Sequence, residues 1–124
     1  MEKSLRVYKN DTLIFESDRN WLYPLFDLKR LLDTQIHDPG DLYLQDKVVG
    51  RAAALMIIYL GIKELDAGIL STLAVEVLDH YSIEYTYDTL VERIQCKTEE
   101  ILKDELDPEE AYTILAERAA RAMQ

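Results

Sequence analysis

The sequence predicts an α/β protein, a three-layer α/β/α sandwich around a mixed sheet, with an antiparallel β-hairpin at its start and a helical tail at its end. Two patterns and a length carry this reading. Segments with strand-like alternation recur between segments of helical periodicity, in the order β-β-α-β-α-β-α-β. Strands separated by helices of about ten residues need crossovers, and right-handed crossovers set parallel neighbours beneath helices, here expected on both faces of the sheet. A chain of 124 residues supports one core, so residues 1–124 are expected to form a single domain.

Each element has its own signal. Leu5 and Val7, then Leu13 and Phe15, flank Lys9-Asn10-Asp11-Thr12, whose Asn and Asp tolerate positive φ; this is the hairpin. Apolar residues from Trp21 to Leu32 repeat near 3.6, with Pro24 in the first turn, which predicts a helix over 20–34. Ile36-His37-Asp38-Pro39-Gly40 reads as a loop and Asp41–Gln45 as a short strand. The apolar run from Val48 predicts a buried central helix over Lys47–Leu60, capped by Asp46 and stopped by a left-handed Gly61. Glu64–Leu70 is a buried strand, Ser71 or Thr72 caps a helix through His80, and Ile83, Tyr85 and Tyr87 alternate as a further strand. Residues 89–124 form the tail, where Thr98 caps one segment and Asp107-Pro108-Glu109-Glu110 opens another. Ala111, Ile114, Leu115, Arg118, Ala119 and Ala122 form a face of that last helix that packs on the sheet or on another subunit, with Tyr112, Ile114, Leu115, Ala119 and Ala122 as the stripe available to an interface.

Composition narrows the partners. Apolar residues at 48% and charged residues at 31% describe a globular chain. Twenty-four acids against 14 bases give a net charge of −10, which repels phosphate backbones and anionic membrane surfaces, so neither nucleic acid nor membrane is an expected partner. A lone Cys96, the absence of an apolar leader and the lack of any run long enough to span a bilayer make a cytoplasmic location the expectation.

Asp46-Lys47-Val48-Val49-Gly50-Arg51-Ala52-Ala53-Ala54 resembles the D-K-V-V-G-[K/R]-A-A-A motif of a small uncharacterised, zinc-less family of the cytidine-deaminase-like superfamily. Cys96 with Glu99 resembles that family's C-P-x-E, with Lys97 in place of the proline, and Asp107–Tyr112 is similar to a third stretch. The resemblance implies a cytidine-deaminase-like domain that handles nucleotide-like molecules and often assembles into oligomers. Active deaminases of the superfamily hold zinc through His/Cys-x-Glu and Pro-Cys-x-x-Cys, where this chain has Asn20-Trp21-Leu22 and Gln45–Val49. With only His37, His80 and Cys96 as soft ligands, zinc-dependent deamination is rejected, and no metal or cofactor is expected.

The candidate site is the start of the central helix, because helix N-termini at strand ends favour anions. Asp46, Lys47, Gly50 and Arg51 lie there, Lys47 and Arg51 on one helical face, and Arg19 with Asn20 can reach the same crevice if the superfamily layout holds. Two cations beside a helix N-terminus oppose the dipole, which points to an anionic partner. Cys96 and Glu99 are accessory candidates, and Tyr85 with Tyr87 offer a stacking surface. The expected function is binding of an anionic, nucleotide-like small molecule, ADP-ribose type included. The alternative is a non-catalytic scaffold or oligomerisation module with a vestigial site, self-associating through its tail. No residues form a recognisable catalytic unit, so turnover is left open.

Overall fold

The structure, a computed structural model, describes residues 3–34 and 38–122. Strands β1 (Leu5–Lys9) and β2 (Thr12–Ser17) form the hairpin, and Asn10 and Asp11 between them adopt φ of 49° and 68°, the paired positive values of a tight hairpin turn. Helix α1 (Tyr23–Thr34) and a single 3-10 turn (Pro39–Asp41) lead into β3 (Leu42–Val49). Then α2 (Arg51–Tyr59), β4 (Glu64–Ser71), α3 (Thr72–His80) and β5 (Glu84–Val91) alternate, followed by α4 (Lys97–Ile101) and α5 (Pro108–Ala122). His37, with part of its predicted loop, lies outside the described residues.

The result is a mixed α/β fold on an open five-stranded sheet of order β2-β1-β3-β4-β5. β1 is antiparallel to both β2 and β3, whereas β3, β4 and β5 are parallel. Leu5 and Val7 of β1, Leu42 and Leu44 of β3, and Leu65 and Ala67 of β4 are buried on one face, against α2. Their alternates Tyr8, Tyr43, Gln45, Glu64 and Thr86 remain partly or wholly exposed. The expected second helical layer is therefore absent among the described residues. The reason is topological: β3, β4 and β5 advance in one direction, so right-handed crossovers lay α2 and α3 on the same face. The other helices pack around α2.

Three boundaries depart from expectation. β3 runs to Val49 and α2 begins only at Arg51, with Gly50 at the N-cap, so Asp46 and Lys47 belong to the strand. A continuous apolar run does not distinguish strand from helix, and two valines paired with Ile69 and Leu70 of β4 settle it as strand. β5 continues to Val91 rather than yielding to the tail at Thr89, and Cys96, not Thr98, occupies the N-cap position of α4. Other signals hold. Ser71 caps α3 through its hydroxyl, which accepts from the amide of Ala74 at 3.1 Å. Gly61 takes φ of 87°, and the Asp107 carboxylate accepts from the amide of Glu109 at 3.0 Å beside Pro108. Gly68 is demanded by packing, since a Cβ there would lie 2.5 Å from the carbonyl oxygen of Lys47.

Candidate functional site

The start of α2 is built as the interior of the protein, not as a binding site. Arg51 is fully buried. Its Nε and Nη2 donate to the carbonyl of Glu105 at 2.8 and 2.6 Å, its Nη1 donates to the carbonyl of Leu73 at 3.1 Å, and Nη2 pairs with Glu76 at 3.0 Å. The guanidinium thus ties α2 to α3 and to the segment before α5, with its donors engaged inside the chain. The anion expected at this helix start is present, and it is the chain's own: Glu99, 1% exposed, reaches in from α4. Its Oε1 accepts from the amide of Arg51 at 2.6 Å and its Oε2 from the amide of Ile94 at 2.9 Å. A carboxylate against the first amide of a helix satisfies an orphan donor and the dipole together. Gly50 makes room for it, since a Cβ there would sit 3.0 Å from Oε1.

The remaining predicted residues do not converge on that point. Lys47 is exposed on β3, and its amide donates to the carbonyl of Ser4. Asp46 pairs across the sheet with Leu5 and Ala67 on the core face. Burial pushes its pKa up to about 7, outweighing the backbone amides of Val48, at 3.4 Å, and Lys47, which favour the charged form. Arg19 donates to both oxygens of Asp27, at 2.9 and 2.7 Å, and lies 4.7 Å over the ring of Tyr23. Asn20 is exposed in the connection to α1. Tyr85 is engaged, its hydroxyl donating to Asp79 at 2.8 Å, while Tyr87 is exposed at the sheet edge. His80 ends α3 and packs edge-on against Tyr81.

Three hollows differ in their charge. The largest, about 780 Å³, opens on the bare sheet face where β3, β4 and β5 begin; Asp11, Asp41, Glu64 and Glu84 line it with no lysine or arginine. A second, about 540 Å³, lies between the loop before α1, the start of α4 and the last turns of α5. Trp21, Tyr23, Lys97, Arg118 and Arg121 line it, with Cys96 and Thr98 at its side and no carboxylate among the described residues. A third, about 240 Å³, adjoins the second and is mostly apolar. The last two sit near the carboxyl end of β3 and beyond β5, the end at which open α/β sheets receive ligands.

The second hollow is the candidate site. Eight of the 14 lysines and arginines have a carboxylate partner; of the six that make no ion pair among the described residues, Lys9, Lys47 and Lys63 lie elsewhere, whereas Lys97, Arg118 and Arg121 gather on this one hollow. Trp21 stands at the rim, 40% exposed, with φ of 58°. A bulky residue in that region costs on the order of 1–3 kcal/mol and persists only where its surroundings hold it. Cys96 lies alongside, its Sγ 3.3 Å from the Thr98 hydroxyl, and among the described residues no histidine lines the hollow to activate it. Of the expected residues the hollow contains only Cys96. Sequence reasoning does not mark Trp21, Lys97, Arg118 and Arg121 as site residues, although the i,i+3 spacing of Arg118 and Arg121 puts them on one helical face.

Fold and hollow together define a mixed-sheet α/β protein with a cation-lined depression at the carboxyl end of its sheet. The chain belongs to the TM1506 family, described as a domain of unknown function (DUF1893), whose family model matches residues 1–119. It is similar to the crystal structure of a DUF1893 family protein (TM1506) from Thermotoga maritima, with a TM-score of 0.83 and 25% identity over 94% of this chain and 80% of that one. No curated protein matches. These findings correct the resemblance to a cytidine-deaminase-like superfamily, which neither match indicates. The string that suggested it, Asp46–Ala54, is divided between the end of β3 and the start of α2, and Arg51 within it serves packing. No described helix is long and apolar enough to cross a membrane.

Proposed function

We propose that the chain binds an anionic, nucleotide-like small molecule, ADP-ribose type included, in the hollow formed by Trp21, Lys97, Arg118 and Arg121. One observation carries this reading: in a chain of net charge −10, three cations line one depression in which, among the described residues, they meet neither an ion-pair partner nor any carboxylate. Guanidinium groups donate in a fork that matches phosphate oxygens, and an aromatic rim suits the ring of a nucleotide. The site moves from the start of α2 to the end of α5 because Glu99 already occupies the former. The reading concerns binding alone, since among the described residues the hollow offers a thiol without a base.

The alternative of self-association through the tail has less surface to work with. Ala111 and Leu115 are fully buried in the chain's own core, and Tyr112 stacks on Tyr59 of α2 with ring centres 4.4 Å apart and planes 8° from parallel.

Thermal denaturation in the presence of ADP-ribose, ADP and pyrophosphate tests the proposal. A ligand at a hundred times its dissociation constant stabilises by about 2.7 kcal/mol, and the double variant Arg118→Gln/Arg121→Gln is expected to lose that gain while unfolding normally without ligand. A panel that leaves the melting temperature unmoved, or a gain undiminished in the double variant, overturns it.

A further inference from the structure

The cationic hollow continues past Trp21. On its far side the smaller hollow, about 240 Å³, is walled by Leu22, Val48, Ala52, Ala53 and Ile94, and both hollows share Trp21, Cys96 and Thr98. One depression therefore has a cationic half and an apolar half, with the indole bordering both. Resting on the proposed anion site, we infer that the two halves take the two ends of one molecule: phosphate groups against Lys97, Arg118 and Arg121, and a flat ring in the apolar slot against Trp21.

The slot's chemistry also sets what kind of ring it accepts. Its most polar wall is Glu99, and both carboxylate oxygens there are already committed to the amides of Arg51 and Ile94. The Thr98 hydroxyl lies against the thiol of Cys96. With its polar side chains engaged, the slot holds a ring by stacking and apolar burial rather than by side chains that read its edge, and stacking is tolerant of which base is presented. The ligand class is thus a nucleoside 5′-diphosphate with weak discrimination among bases. Trp21 is the residue that distinguishes such a molecule from bare pyrophosphate.

Trp21 is the chain's single tryptophan, so its emission reports directly on the slot. Pyrophosphate, ADP and UDP are titrated into the protein by calorimetry and by intrinsic fluorescence. Pyrophosphate is expected to bind without altering emission. ADP and UDP are expected to quench it saturably and to bind at least about tenfold more tightly, within about threefold of one another. Trp21→Gly, which suits the positive φ of that position, is expected to erase the advantage of ADP over pyrophosphate. Val48→Phe, filling the slot from a residue 39% exposed, is expected to do the same with the indole still present to report. If pyrophosphate and ADP bind equally, or Trp21→Gly keeps the advantage, the ring slot is wrong while the anion site stands. If neither ligand binds, both fail together.

Discussion

The amino end of α2 and the hollow beside the last turns of α5 both gather arginine near the same end of the sheet, yet they are opposites electrostatically. Arg51 directs its donors to Glu105, Leu73 and Glu76, and the helix start beside it is closed by Glu99. Arg118 and Arg121 meet no such partners among the described residues, and their hollow is open to solvent. The lesson is that a cation's role follows from where its acceptors lie. Acceptors inside the chain make it a fastener; their absence at a concave surface leaves it free for a ligand. Burial points the same way, since a lone buried charge is not sustainable whereas an exposed one costs little.

Arg51→Met breaks the comparison most severely. It leaves the carbonyls of Glu105 and Leu73 without their donors, and stability in urea is expected to fall by about 3–5 kcal/mol. Arg118→Gln, one helix away, is expected to stay within about 0.5 kcal/mol of the parent. Equal losses in the two variants would show that the arginines are not different in kind.

Glu99→Ala comes next, at about 2–3 kcal/mol, because a buried amide and a half-buried one lose their acceptor at once. That variant also recreates the vacant helix start that the sequence led one to expect. Acetate added to it should therefore restore part of the lost stability, and should do nothing for the parent. An equal response of the two proteins to acetate would mean that Glu99 does not fill the anion position.

The same contrast explains which features could be read from the sequence. The hairpin, the Ser71 cap and the Asp107-Pro108 helix start are local, each set by residues within a turn of one another. The boundary between β3 and α2 is not local: whether Lys47-Val48-Val49 is strand or helix depends on Ile69 and Leu70 being there to pair with. Once that boundary shifts, Lys47 and Arg51 no longer share a helical face, and the expected clamp dissolves. Glu99, 48 residues from Arg51, stands out in the sequence only as the companion of Cys96, because nothing in a linear chain says which carboxylate will dock on which helix end. Trp21 meets Arg118 and Arg121 only after α5 folds back over α2. The hollow is therefore invisible in the sequence even though α5 itself is predicted.

Asp46 supplies the smallest and most pointed test, because it is a carboxylate on the core face that lacks what Glu99 has. Glu99 accepts two short bonds, one from the first amide of α2 and one from the amide of Ile94; among the described residues Asp46 has only the amides of Val48, at 3.4 Å, and Lys47, and burial outweighs them. Its pKa stands at about 7 against 3.8 for the unperturbed group, so the folded state holds a proton that the unfolded chain has already released. This contribution to stability is complete below about pH 4, falls as pH rises through about 7, and is flat above. Asp46→Asn removes the titrating group while keeping the shape, so its stability relative to the parent should rise across that window, by on the order of 2 kcal/mol between about pH 5 and about pH 8. Other acids titrate equally in both proteins and cancel in the difference. Urea titrations of the pair at about pH 5 and about pH 8, either side of the folded-state value, measure it directly. A difference independent of pH would mean that Asp46 is ionised in the fold throughout, and that the carboxyl end of β3 can hold a second charge alongside Glu99.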